Sequence, residues 1–89
     1  MKSRTTRGFR ELFAALPARV QRQARQAYHL FQNDPAHPGL RFKQVYATPP
    51  TYSARVGIGY RAVATLEGDT AVWFWIGSHT DYDELLKHL

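Results

Sequence analysis

Cysteine is absent from the 89 residues. That excludes disulfide bonds and thiolate metal sites, and it fits a reducing compartment. Long apolar runs are absent as well: no stretch approaches the roughly 20 residues that span a bilayer. The basic opening segment MKSRTTRGFR has no apolar core of the kind a signal peptide carries. The chain therefore reads as cytosolic, with no membrane partner. Internal repeats, low-complexity tracts and linkers are also missing, so residues 1–89 read as a single small domain with little stability to spare. His79 and Asp83 stand four residues apart but have no third ligand in sight, so no metal and no cofactor are expected.

Acidic residues are scarce in the first part of the chain. Lys2, Arg4, Arg7, Arg10, Arg19, Arg22 and Arg25 are opposed there by Glu11 alone. Past Arg61 the balance reverses, with Glu67, Asp69, Asp81, Asp83 and Glu84 against Lys87. The net charge is +5. Such asymmetry points to a polyanion or an acidic protein segment as partner; a merely solvated surface is the alternative.

Phe9, Leu12, Phe13 and Leu16 recur at helical spacing, which predicts an amphipathic helix from about Arg7 to Leu16. Pro17 interrupts it and suits the first turn of a second helix, on which Val20, Ala24, Ala27, Tyr28 and Phe31 share a face. That helix ends near Asn33, before the loop DPAHPG. The segment LRFKQVYA alternates and predicts a strand with Leu40, Phe42 and Gln44 on one side and Arg41, Lys43 and Val45 on the other. YSARVGIGYRAVA predicts a hairpin turning at Gly57-Ile58-Gly59, and Glu67-Gly68-Asp69 a second turn. TAVWFWIG is apolar almost throughout, as in a strand covered on both faces. A last helix is expected from about Thr80 to His88, capped by Ser78, Thr80 or Asp81. A short strand within residues 2 to 6 is also compatible with the sequence. The expectation is an α+β fold: an N-terminal αα-hairpin packed on a small, about four-stranded antiparallel sheet, with a short C-terminal helix.

Side chains alternate along a strand. If Tyr52, Ala54, Val56, Tyr60, Ala62 and Ala64 face the helices, Arg55 and Arg61 project together from the opposite face. Like charges on adjacent strands repel, which argues for an anion between them. The guanidinium fork matches phosphate oxygens and its charge is permanent. Arg41 and Lys43 either extend that basic surface or protect an edge strand. Histidine titrates near pH ~6.5 and exchanges protons at neutrality, so His79, just past the central strand, is a candidate proton-transfer group or else a helix-start residue. Tyr82, three residues on, either stacks on a base and orients a phosphate or packs in the core. Trp73 and Trp75 are expected on one common face, as core or as a stacking surface. The Arg19, Arg22, Arg25 stripe either grips RNA or an acidic segment, or is simply solvated.

The helical hairpin, then HPGLRFKQV, then YSARVGIGYRAV, then the ending WIGSHTDYDELL, together resemble the RelE/ParE superfamily of bacterial type II toxins, from about Phe9 to Leu86. The resemblance implies a small antiparallel sheet with helices on one face. In the RelE-like branch the other, concave face binds messenger RNA in the ribosome and cleaves it. The ParE-like branch poisons DNA gyrase and lacks the nuclease residues. Both are neutralised by an antitoxin encoded beside them. The resemblance implies that Arg55 and Arg61 occupy the cationic positions that bind the scissile phosphate, and that His79 stands at the C-terminal catalytic position as general acid or general base. Beside these, spacing and charge make Tyr82 a further catalytic candidate and Arg41, Lys43, Arg19, Arg22 and Arg25 RNA-binding candidates. Ser53 stands where family nucleases often carry a lysine, a role that Lys43 would have to take over. The expected partners are a cognate antitoxin, messenger RNA and the ribosome. The favoured expectation is a metal-independent messenger-RNA endoribonuclease toxin; the alternatives are a non-enzymatic gyrase inhibitor and a degenerate binding module.

Overall fold

Pro17 divides the N-terminal helices as its ring demands. In the computed structural model, which describes residues 1–89, α1 spans Arg7–Ala14 and α2 spans Ala18–Asn33. Thr6 caps α1 by accepting the Phe9 N–H at 3.1 Å. The sheet has five strands: β1 (Lys2–Thr5), β2 (Lys43–Tyr46), β3 (Thr51–Val56), β4 (Tyr60–Glu67) and β5 (Thr70–Ser78). Their order is β1-β5-β4-β3-β2. The four later strands form an antiparallel meander, as expected. The short N-terminal strand joins as a fifth, parallel to β5. It is held there by the Trp73 Nε1–H donating to Ser3 Oγ at 2.8 Å.

The core lies between the sheet and the αα-hairpin. Ala54, Val56, Ala62, Ala64, Ala71, Trp73 and Ile76 supply its sheet side, and Phe31 and Leu40 close over them. The alanines leave room for large rings. Phe31 meets Trp73 edge-on at 5.2 Å and Phe42 at 5.1 Å, geometry that suits the aromatic quadrupole.

Two expectations about the strands need correction. The first concerns the run from Leu40 to Phe42, which is not strand. Pro38–Leu40 form a 3₁₀ turn, capped by His37 Nδ1 accepting the Gly39 N–H at 3.0 Å. The chain leaves it through Arg41 in the left-handed region, φ 46°. Leu40 and Phe42 still reach the core, but through this turn and not by strand alternation. Arg41 and Lys43 are therefore not neighbours on one strand.

The second correction concerns β5. Val63 pairs with Trp75 and Ala64 with Trp73, so Phe74 is an extra residue in a β-bulge. A bulge shifts the phase of the strand by one residue. Trp73 consequently faces the helices while Trp75 faces away, so the two tryptophans do not share a face.

The C-terminal helix α3 spans His79–Leu86. Ser78 is its cap, accepting the Asp81 N–H at 3.2 Å. It packs on β4 and β5, and its buried Tyr82 sits beside Trp75 with ring centroids 6.4 Å apart. Since Trp75 is on the far side of the sheet from α1 and α2, α3 covers part of the face expected to be bare. No helix is long and apolar enough to cross a membrane.

Candidate functional site

The face turned away from α1 and α2 is ordered in rows by strand register. One row runs Lys43–Ser53–Val63–Trp75, and the next runs Arg55–Arg61–Gly77. In a directly opposed antiparallel pair the Cβ atoms stand about 4.5–5.5 Å apart. Arg55 and Arg61 are such a pair, so the alternation read from the sequence places them correctly. Gly57 carries the reversal at φ 58°, a conformation open to glycine at no steric cost.

Neither arginine has an acidic partner. The ion pairs lie elsewhere: Arg4 with Glu67, Arg7 with Glu11, His79 with Asp83 and Lys87 with Glu84. Arg55 Nε donates to the Gly57 carbonyl at 2.9 Å, and Arg61 Nη1 reaches the Tyr60 carbonyl only at 3.5 Å. Most guanidinium donors of this half-buried pair are therefore unused. Two uncompensated cations across one strand pair make a positive focus whose natural complement is a phosphate-like anion. Arg55 also stands where β2 has ended and the β3 edge is free. There it also borders a cleft with Gln23, Gln26 and Leu30 of α2 and with Gly39, so Arg55 sits at the sheet edge between the two faces.

His79 begins α3 at the same end of the sheet. Its N–H donates to the Gly59 carbonyl at 2.8 Å, which ties the helix start to the β3–β4 turn. Its side chain is 52% exposed, and Nε2 lies 3.7 Å from Asp83 Oδ1, an ion pair only while the imidazole is protonated. The imidazole is thus two residues past Gly77, the cross-strand neighbour of Arg61, and is open to solvent. Tyr82 is different: it is 5% exposed, packed between Trp75 and His79. Its ring supports α3 and offers no free face for stacking on a base.

The remaining candidates divide by face. Lys43 is exposed directly across from Ser53, on the arginine face. Ser53 is buried, and its Oγ is the one sealed side-chain polar atom with no hydrogen-bond partner. Arg41 is exposed at the left-handed exit of the 3₁₀ turn, off the strand. Arg19, Arg22 and Arg25 line α2, which packs on the other face of the sheet; Arg25 lies over the Phe13 ring at 5.2 Å. Strand register therefore places Arg55, Arg61 and Lys43 on one face, His79 starts α3 at the Arg55–Arg61 end of the sheet, and the α2 stripe lies on the other side. Nowhere do three or more His, Asp or Glu side chains gather as metal ligands would.

The sequence leaves Trp75 open between core and stacking surface and pairs it with Trp73; the structure turns Trp75 alone onto this face. The six-membered half of its indole lies back over Gly77: a Cβ there would stand 2.7 Å from Trp75 Cη2 and Cζ2. The aromatic followed two residues later by glycine, at the end of a strand, was the available signal. The bulge that turns Trp75 outward was not visible beforehand.

The ParE-like toxin domain family model matches residues 18–84. Among solved structures, the fold is similar to a chain of the RelBE2 toxin–antitoxin complex from Mycobacterium tuberculosis. That match has 22% identity and a TM-score of 0.68, covering 88% of this chain and 96% of the other. It is also similar to a chain of the RelB–RelE antitoxin–toxin complex from Methanococcus jannaschii, at 17% identity and TM-score 0.72, covering 91% and 95%. A mutant toxin from Helicobacter pylori, solved with copper bound, matches at 15% identity and TM-score 0.62, covering 91% and 97%. At these identities the likeness is one of fold. No curated protein matches the chain.

Proposed function

This chain belongs to the ParE-like toxin domain family, and from that premise we propose that it is the toxin of a toxin–antitoxin pair, with residues 1–89 acting as one messenger-RNA endoribonuclease domain of the RelE kind. The observation that carries the nuclease reading is the cross-strand pair Arg55–Arg61, without acidic partners and with a solvent-open imidazole starting α3 at the same end of the sheet. In the displacement, the ribose 2′ oxygen loses its proton and bonds to phosphorus, while the bond to the 5′ oxygen breaks and that oxygen gains a proton. The products are a 2′,3′-cyclic phosphate and a 5′-hydroxyl. Arg55 and Arg61 hold the phosphate and balance the charge that grows on it in the transition state. His79 exchanges a proton at one end of the displacement. Lys43 adds a further cation in the adjoining row, across from the serine.

The solved relatives that are complexes with antitoxins support a cognate antitoxin as partner here. Incubation with translating ribosomes and a defined message, followed by mapping of 5′ ends, tests the activity. His79→Ala is expected to cut far more slowly; equal cutting removes His79 from the site. The family's ParE-like description and the serine at position 53 favour a second reading, a non-enzymatic inhibitor of DNA gyrase. In that case a supercoiling assay responds to the protein and message stays intact.

A further inference from the structure

We propose that Trp75 forms a nucleobase subsite, taking the flat face of the base that neighbours the phosphate held by Arg55 and Arg61. The inference rests on the nuclease reading above and assigns a role to a residue that reading does not use. Trp75 is turned onto the arginine face by the bulge at Phe74. Its indole lies over Gly77, whose cross-strand neighbour is Arg61, so the ring covers the strand position directly opposite an arginine. Tyr82 holds the ring from the side of α3 at 6.4 Å. Unlike Trp73, whose Nε1–H is spent on Ser3, the Trp75 side chain makes no hydrogen bond within the protein. Its N–H is not sealed either, since Ser53 Oγ is the one buried side-chain polar atom without a partner. A partly exposed, laterally fixed indole with a free donor, on the same sheet face as two arginines, is what single-stranded nucleic acid recognition needs. Gly77 acquires a reason: with any Cβ present, the ring cannot lie down next to Arg61.

The test uses a 2′-O-methyl RNA hexanucleotide, which cannot be cut, and the same strand without bases. The wild-type protein is expected to bind the base-bearing strand with quenching of tryptophan emission. Trp75→Ala is expected to lose about tenfold or more in affinity for that strand while binding the abasic strand as the wild type does. Trp75→Phe keeps an aromatic face beside Tyr82. It is expected to retain affinity within a few-fold while losing the quench, because Trp73 alone remains to emit. Three results overturn the subsite: equal binding of both strands by the wild type, undiminished binding by Trp75→Ala, or no binding of either strand. Base-dependent binding without cleavage of ribosome-bound message would remove the nuclease reading and leave the subsite standing. Cleavage by Trp75→Ala at the wild-type rate and with the wild-type base distribution would do the reverse.

Discussion

Arg61→Gln should make the protein more stable while removing its function. Arg61 stands directly across from Arg55, and no carboxylate neutralises either one. Like charges in such a pair cost about 0.2–1 kcal/mol. The substitution gives up little in return, since the contact from Arg61 to the Tyr60 carbonyl is long at 3.5 Å. For a domain of this size 1 kcal/mol moves the melting midpoint by about 4–8 °C, so a rise of about 1–8 °C is expected. The gain is electrostatic between half-buried groups and should shrink between 20 mM and 0.5 M salt. Added phosphate should narrow it too, by stabilising the wild type more than the variant. Thermal unfolding followed by circular dichroism across that salt series measures both effects. A lower midpoint for Arg61→Gln at low salt would refute the reasoning, because it would mean that Arg61 has a stabilising partner in the fold.

Gly77→Ala is expected to destabilise by about 1–3 kcal/mol, since the new methyl meets the Trp75 ring at 2.7 Å. Adding Trp75→Ala should recover part of that loss in a double-mutant cycle read by urea unfolding. Ser53→Ala should be neutral or stabilising by up to about 2 kcal/mol, because its buried hydroxyl has no partner to lose; a clear loss in urea unfolding would reveal a hidden one. Trp73→Phe should cost about 1–3 kcal/mol through the lost bond to Ser3 and should loosen β1, visible as faster amide exchange at residues 3–5.

Much of this architecture is local and was therefore legible. The αα-hairpin follows from apolar spacing and Pro17, the β3–β4 hairpin from its glycines, and the α3 cap from Ser78. The shared face of Arg55 and Arg61 follows from strand alternation alone, because no irregularity intervenes between them. What escaped depends on pairing between distant segments. The bulge at Phe74 is a property of β5 against β4, and TAVWFWIG is apolar in either phase, so composition could not choose which tryptophan turns outward. The parallel seat of β1 depends on β5, 68 residues further along the register from Lys2 to Thr70. Pro38-Gly39 marked a loop but not that its 3₁₀ turn would consume Leu40 and Arg41. Tyr82 is open in the sequence between packing and contact with RNA, because a short helix gives no sign of which face of a sheet it will cover.

The chemistry of the cut ends tests the central claim most directly. Fragments of a defined message, recovered after incubation with ribosomes and this protein, can be weighed by mass spectrometry. Displacement by the neighbouring 2′ oxygen, with Arg55 and Arg61 on the phosphate and His79 moving the proton, predicts 2′,3′-cyclic phosphate and 5′-hydroxyl termini whose yield collapses in Arg61→Gln and His79→Ala. Termini bearing 5′-phosphate and 3′-hydroxyl, or an intact message throughout, would contradict it.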